Sequence, residues 1–340
     1  MEVSSFPDDF RCPISLEVMS DPVILSSGHT FDRASIQRWL DSGHLTCPVT
    51  NLPLPRHPSL IPNHALRRLI SQFAPPPSAP PPPPPPPPLP FPSDAQTLAD
   101  LLRTIRTSPP DHRRTIADSQ IPSVLFRHVS SRGEAHLRKL AIYCLLYLSL
   151  DDDGVKVGLV AEGGVDHLVE AVESRSDGSA AAATVLTSLS TVDVNKCVIG
   201  AHPSAIPSLA AMLSAEGSSR REKREAATAI YELSKFPENR KRVVRAGAMG
   251  ELARMAGSGS DRAAEVLALL AKTKEGRAEM GRIEGFVRVL VAVVGSGSRR
   301  GAESAVAALR LLSHEDGEIG AEAKTAAELV VSYGLAKVSS

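Results

Sequence analysis

Eight residues near the amino terminus stand at the spacing of two interleaved tetrahedral metal sites: Cys12, Ser15, Ser27, His29, Asp32, Ser35, Cys47 and Thr50. One site would take Cys12, Ser15, Asp32 and Ser35. The other would take Ser27, His29, Cys47 and Thr50. Structural zinc calls for thiolate and imidazole donors on tight Cys-x-x-Cys turns. Neither set here keeps more than two good donors, and a neutral hydroxyl is a poor zinc ligand. The expectation is therefore a segment without metal or other cofactor. The same side chains suit a hydrogen-bond network. Ser and Thr donate and accept, and ionised Asp32 accepts from backbone amides and from a nearby donor such as Arg33. Cys12 and Cys47 then serve as small buried thiols.

The local pattern supplies elements to position these groups. "PVILSSGHTFD" reads as a short hairpin. Asp32 is placed to N-cap a helix running through Leu40, which Gly43 stops. Asn63 is placed to cap a second helix that ends before Pro75. Three motifs follow in order: "FRCPISLEVMSDPVILSSGHTFDRASIQRWL", "CPVTNLPL" and "LIPNHALRRLISQF". Together they resemble the U-box, the metal-free relative of the zinc RING, over residues 6–73.

That resemblance implies a small α+β RING-like fold and ubiquitin-ligase activity without a nucleophile of its own. The module would recruit a ubiquitin-conjugating enzyme charged with ubiquitin and hold the thioester in an attack-ready pose. Its docking surface would be Ile14 and Leu16 on a first loop, Trp39 on the helix, and Pro48 and Val49 on a second loop. An exposed Ile, Trp and Pro cluster suits an interface hot spot. The competing reading makes Ile14 and Trp39 core residues. Several RING-type ligases carry an arginine where this chain has Asn51, which donates without charge or a fork of donors.

Beyond residue 74 the composition changes twice. Residues 75–92 read "PPPSAPPPPPPPPPLPFP". Such a tract is excluded from helix and sheet interiors and forms a polyproline II rod of roughly 55 Å. It reads as a stiff spacer, or as a ligand for a proline-binding partner.

Residues 93–340 repeat themselves. "SQIPSV", "GGVDHL", "SAIPSL", "GAMGEL", "EGFVRV" and the weaker "KTAAEL" end at Val124, Leu168, Leu209, Leu252, Val289 and Leu329, spaced 44, 41, 43, 37 and 40 residues apart. "CLLYLS", "VLTSLS", "AIYELS", "VLALLA" and "LRLLSH" place Leu148, Leu189, Leu233, Leu270 and Leu312 at spacings of 41, 44, 37 and 42. Units of one period that cannot bury their apolar stripes alone must stack.

The pattern resembles five to six armadillo repeats with irregular ends. The expected architecture is thus a U-box followed by an all-α armadillo solenoid, a layout similar to plant U-box/armadillo ubiquitin ligases. The repeats would bind a protein substrate or a kinase in the groove lined by each unit's third helix. Those helices are expected to start near Pro122, Asp166, Pro207, Gly250, Val287 and Thr325. The ladder of Trp and Asn that reads basic peptides in importin-type relatives is missing; Trp39 is the sole tryptophan.

Bulk properties narrow the function further. Lys+Arg and Asp+Glu both total 38, so no whole-chain field draws nucleic acid or an anionic membrane. Residues 216–245 hold nine Lys/Arg against five Glu, either a solvated face or a dock for an acidic or phosphorylated partner. No run approaches the ~20 apolar residues that span a bilayer, and the start lacks a secretory pattern. Four cysteines fit a reducing compartment, cytoplasmic with the nucleus also open. Cys144 and Cys197 read as structural. Ser, His and Asp occur without a nucleophile-elbow turn, which argues against a conventional hydrolase.

Overall fold

The computed structural model describes residues 7–55, 58–73, 94–130, 134–175, 177–295 and 298–338. The proline tract and its expected rod lie outside them.

The amino-terminal unit is a three-stranded antiparallel sheet with two helices. Strands β1 (Pro22–Ile24) and β2 (Thr30–Asp32) form the expected hairpin, with Val23 opposite Phe31. Gly28 turns it at φ 79°, a conformation that favours glycine. A strand the pattern did not signal, β3 (Ile61–Pro62), pairs on the other side of β1. Helix α1 (Arg33–Asp41) starts at the Asp32 cap, and Gly43 follows its end at φ 85°. Helix α2 (His64–Phe73) is capped by Asn63 Oδ1, which accepts from the Leu66 amide at 3.0 Å. The core is small: Phe10, Cys12, Met19, Val23, Leu25, Phe31, Ile36, Cys47, Leu54 and Ile70.

The rest is helical. After α3 (Ala95–Thr107), three-helix units follow: α4 (Pro110–Ala117), α5 (Ile121–Ser130) and α6 (Ala135–Leu148); α7 (Asp153–Ala161), α8 (Gly164–Glu173) and α9 (Ser179–Leu189); α10 (Asp193–Ala201), α11 (Ala205–Ser214) and α12 (Arg220–Ser234). Then come α13 (Pro237–Arg245), α14 (Met249–Gly257) and α15 (Asp261–Leu270); α16 (Lys274–Met280), α17 (Phe286–Gly295) and α18 (Arg299–Leu312); and a long last helix, α19 (Glu318–Val338). One continuous apolar core runs through the stack.

Like helices pack on like helices. Helices α3, α6, α9, α12, α15 and α18 form one layer, and its α9–α12 and α15–α18 contacts are the most extensive in the molecule. Small buried residues, among them Ala182, Ala183, Ala226 and Ala229, permit that close approach. In a curved stack the wall of closest packing is the inner one.

This corrects the expected groove. The helices starting near Pro122, Asp166, Pro207, Gly250 and Val287 are the middle helices α5, α8, α11, α14 and α17. The third helices are those closed by the "Leu-Ser" series. A second correction concerns Thr325, which lies inside α19 rather than opening a helix. The small-residue opening motif marks a turn between the first and second helices, a local signal that carries no information about curvature.

Buried asparagines tie successive units. Asn195 donates to Lys156 O at 3.1 Å and Leu189 O at 3.0 Å. Asn239 does the same to Lys196 O at 2.8 Å and Leu233 O at 3.0 Å. Each side chain satisfies two carbonyls of the preceding unit that burial would otherwise leave costly. Cys144 is fully buried, and desolvation pushes its thiol up to about 12. Cys197, expected to be structural, is instead exposed midway along α10.

Candidate functional site

Two loops in the amino-terminal unit share one backbone plan. In the first, the Leu16 amide donates to Cys12 O at 2.8 Å and the Cys12 amide to Glu17 O at 2.8 Å. In the second, the Asn51 amide donates to Cys47 O and the Cys47 amide to Leu52 O, both at 2.9 Å. Isolated bridges Arg11–Val18 and Thr46–Pro53 close the loops. Leu16 (φ 59°) and Asn51 (φ 56°) therefore occupy the same left-handed position. Asn tolerates that conformation; for Leu it is strained by about 1–2 kcal/mol.

The thiols anchor these turns. Cys12 Sγ accepts from the Asp32 amide at 3.3 Å. Burial works against the Cys12 thiolate, but this amide, those of Ser15 and Ile14 and the Ser15 hydroxyl outweigh it and lower the pKa. Ser27 Oγ donates to Cys47 Sγ at 3.1 Å, linking the hairpin turn to the second loop. Burial opposes ionisation there too, yet hydrogen bonds from Ser27, Thr50 and the Val49 amide bring Cys47 down to about 7.

Not every member of the two expected sets joins in. Asp32 turns its carboxylate away from Cys12, Ser15 and Ser35. It accepts from Ser20 N at 2.8 Å, Ser20 Oγ at 3.0 Å, Asp21 N at 3.1 Å and Ala34 N at 3.2 Å. Those donors outweigh desolvation and hold its pKa below the usual carboxylate value. The expected Arg33 partner goes elsewhere: Arg33 Nε pairs with Asp21 at 2.6 Å. Asp21 also receives Arg67 from α2, a clamp the sequence reading missed because the partners lie far apart in the chain. His29 Nδ1 meets Ser27 O at 3.1 Å within its own turn. Ser35 is buried in α1, and its hydroxyl makes no hydrogen bond among the described residues. Among those residues no cluster of three His, Cys, Asp or Glu could hold a metal ion.

The loops present apolar side chains to solvent. Leu16 is 70% exposed, and Val49, Leu45 and Leu52 are also exposed. Ile14 and Pro48 are half-buried, and Ile14 packs on the small core. Trp39 does both jobs weighed for it. It packs on the core, donates from Nε1 to Thr46 O at 2.9 Å and stacks on His44, yet keeps part of its ring accessible. Asn51 is exposed.

On the solenoid's inner layer, three tyrosines stand beside cations. Arg106 lies over Tyr147, and Lys235 and Arg262 lie over Tyr231. Arg221 reaches past the Ala-rich α9 to the Tyr143 hydroxyl at 3.5 Å. The basic run 216–245 is divided between α12 on this wall and α13 in the first-helix layer. Much of its charge is met internally: Lys223 pairs with Glu251, Arg224 with Glu225, Lys235 with Glu232 and Lys241 with Glu275.

Comparisons with known proteins fit this geometry. The U-box domain model matches residues 6–76, and the model of the plant U-box protein ARM repeat region matches residues 92–337. The chain belongs to the plant U-box/armadillo-repeat family. It is 44% identical to U-box domain-containing protein 8 of Arabidopsis thaliana, over 96% of this chain and 91% of that one. U-box domain-containing protein 16 of Arabidopsis is 28% identical, with 91% of this chain aligned to 55% of that longer protein. A designed armadillo repeat protein superposes with a TM-score of 0.57 at 17% identity, covering 64% of this chain and 92% of that one. That last likeness speaks for the fold alone. U-box proteins are generally ubiquitin ligases, and armadillo repeats generally bind other proteins.

Proposed function

We propose that the chain is a RING-type ubiquitin ligase. Its U-box recruits a ubiquitin-charged conjugating enzyme, and its inner armadillo wall binds the protein substrate or a regulatory kinase. The observation that carries the reading is the pair of Cys-Pro loops that hold Leu16 and Val49 out to solvent beside Ile14, Pro48 and Trp39. A strained Leu kept at an exposed left-handed position is what an interface, rather than a core, would require. The ligase would act by orientation: fixing the thioester in a reactive pose leaves the attacking lysine and the conjugating enzyme's cysteine to perform the transfer.

The test is discharge of ubiquitin from a charged conjugating enzyme to free lysine. Ile14→Ala and Leu16→Ala should each slow discharge about tenfold, the loss of roughly 1.4 kcal/mol at an interface hot spot. A wild-type chain inert with a broad panel of conjugating enzymes would favour the alternative, a non-catalytic armadillo scaffold. The observation on that side is Asn51, which cannot make the forked, charged contacts of an arginine. We place this activity in the cytoplasm or nucleus.

A further inference from the structure

Helix α7 carries two glycines, Gly154 in its first turn and Gly158 in its interior, one turn apart on a single face. Interior glycines weaken a helix, so they call for a reason. For Gly158 the three nearest atoms lie outside α7's own unit. A Cβ there would meet His64 Cδ2 at 3.0 Å and Nε2 at 3.1 Å, atoms of the U-box. A Cβ on Gly154 would meet Pro62 Cγ at 3.2 Å, besides the Asp152 carboxylate that caps α7.

The next unit is a natural control. Asp153 pairs with Lys156 at 2.8 Å in α7, as Asp193 pairs with Lys196 at 2.7 Å in α10. Counting from those pairs, Gly154 and Gly158 correspond to Val194 and Val198. Both valines are exposed. The same face of the same helix type is thus open valine in one unit and notched glycine in the unit the U-box touches.

Charge tells the same story. Glu162 sits at the C-cap of α7, where the helix dipole disfavours an anion, and it is largely buried. Desolvation there raises its pKa, and Arg68 of α2 pulls the other way from 3.1 Å. His64 is likewise buried, 3.9 Å from Asp118 at the end of α4. Beside the notch, a cleft of about 350 Å³ runs between Leu60 and Pro62 on one side and Val157 and Val194 on the other.

We infer that α7 is a docking surface for the chain's own U-box: Pro62 and His64 seat in the Gly154–Gly158 notch, and Arg68 locks on Glu162. The contact uses β3 and α2, elements other than the two Cys-Pro loops. It therefore holds the loops in a fixed direction from the armadillo groove. If the ligase reading is right, this sets which lysines of a bound substrate come within reach; the docking itself does not depend on that reading.

The experiment measures docking without any ubiquitin assay. Small-angle scattering and carboxylate-directed (dihydrazide) cross-linking of the full chain compare wild type, Gly158→Leu, and the charge swap Arg68→Glu with Glu162→Arg. Leucine favours helix at 158 and should leave α7 folded, yet it cannot coexist with the seated His64 ring. The expected result is an enlarged radius of gyration and loss of U-box-to-solenoid cross-links in Gly158→Leu. The single Glu162→Arg should lose the same cross-links, and the double swap should restore them. Compact scattering with intact cross-links in Gly158→Leu would overturn the inference. So would a wild-type chain that forms a concentration-dependent dimer with cross-links only between copies, which would place one chain's U-box on another's α7. Loss of ubiquitin discharge with docking intact would fail the ligase reading alone.

Discussion

The U-box and the solenoid solve opposite problems. The U-box has about ten buried apolar side chains, too few to fix its long loops by packing. It pins them with polar groups instead: Asp32 with four bonds, Ser27 on Cys47, and Asp21 between Arg33 and Arg67. The solenoid has one core running its length, and its repeating beat is apolar. A small unit built on polar bonds should fail abruptly at single positions. A stacked unit should fail locally, near the lesion.

The single tryptophan makes this contrast measurable, because Trp39 fluorescence reports the U-box while far-ultraviolet circular dichroism is dominated by the helices. The largest effect is expected from Ile230→Ala, which empties a fully buried position of α12. It should cost the dichroism-detected transition about 3 kcal/mol in urea and leave the Trp39 transition in place. A Trp39 midpoint that falls equally would break the comparison and show that the two units unfold together.

Asp32→Ala comes next, with about 2 kcal/mol lost from the Trp39 transition as an N-cap and three further bonds disappear. A chelator should leave both transitions where they are. A Trp39 midpoint lowered by the chelator would mean that the polar network is incomplete without metal. Leu16→Asn should do the reverse of most substitutions. Asn accepts the left-handed conformation, so the U-box should gain about 0.5 kcal/mol while discharge falls. Stability gained with activity kept would remove the strained loop from the proposed interface.

The smallest expected effect is the pH dependence of docking. Burial lowers the pKa of His64; Asp118 opposes that shift, and Arg67 and Arg114 reinforce it. A released His64 takes up a proton as the pH falls through its ordinary value near 6.5, whereas the docked ring resists it. Docking is therefore fully favoured above that value and weakens on acidification. Glu162, whose pKa desolvation raises, pushes the other way. Between pH 7.5 and 6 the radius of gyration should grow in wild type and stay level in His64→Gln.

Much was legible in the residues alone. The hairpin, the Asp32 and Asn63 caps and the stacked period of about 41 residues rest on local chemistry and spacing, which chain order preserves. Asp32's real partners, Ser20 and Asp21, were hidden because the fold brings an upstream loop to the cap. The inner wall was also hidden: both helix markers are equally periodic, and only the closer packing of Ala-rich faces shows which lies inside.

By itself, then, the sequence determined that neither set of ligand positions is filled with zinc donors, the two kinds of unit and the need for the repeats to stack, because donor chemistry and apolar period are properties of residues and their spacing. The tertiary structure alone decided where curvature puts the groove, why position 51 suits asparagine, and what the α7 glycines receive. Each of these depends on atoms far apart in the chain meeting in space, and nearest-neighbour pattern carries no record of that.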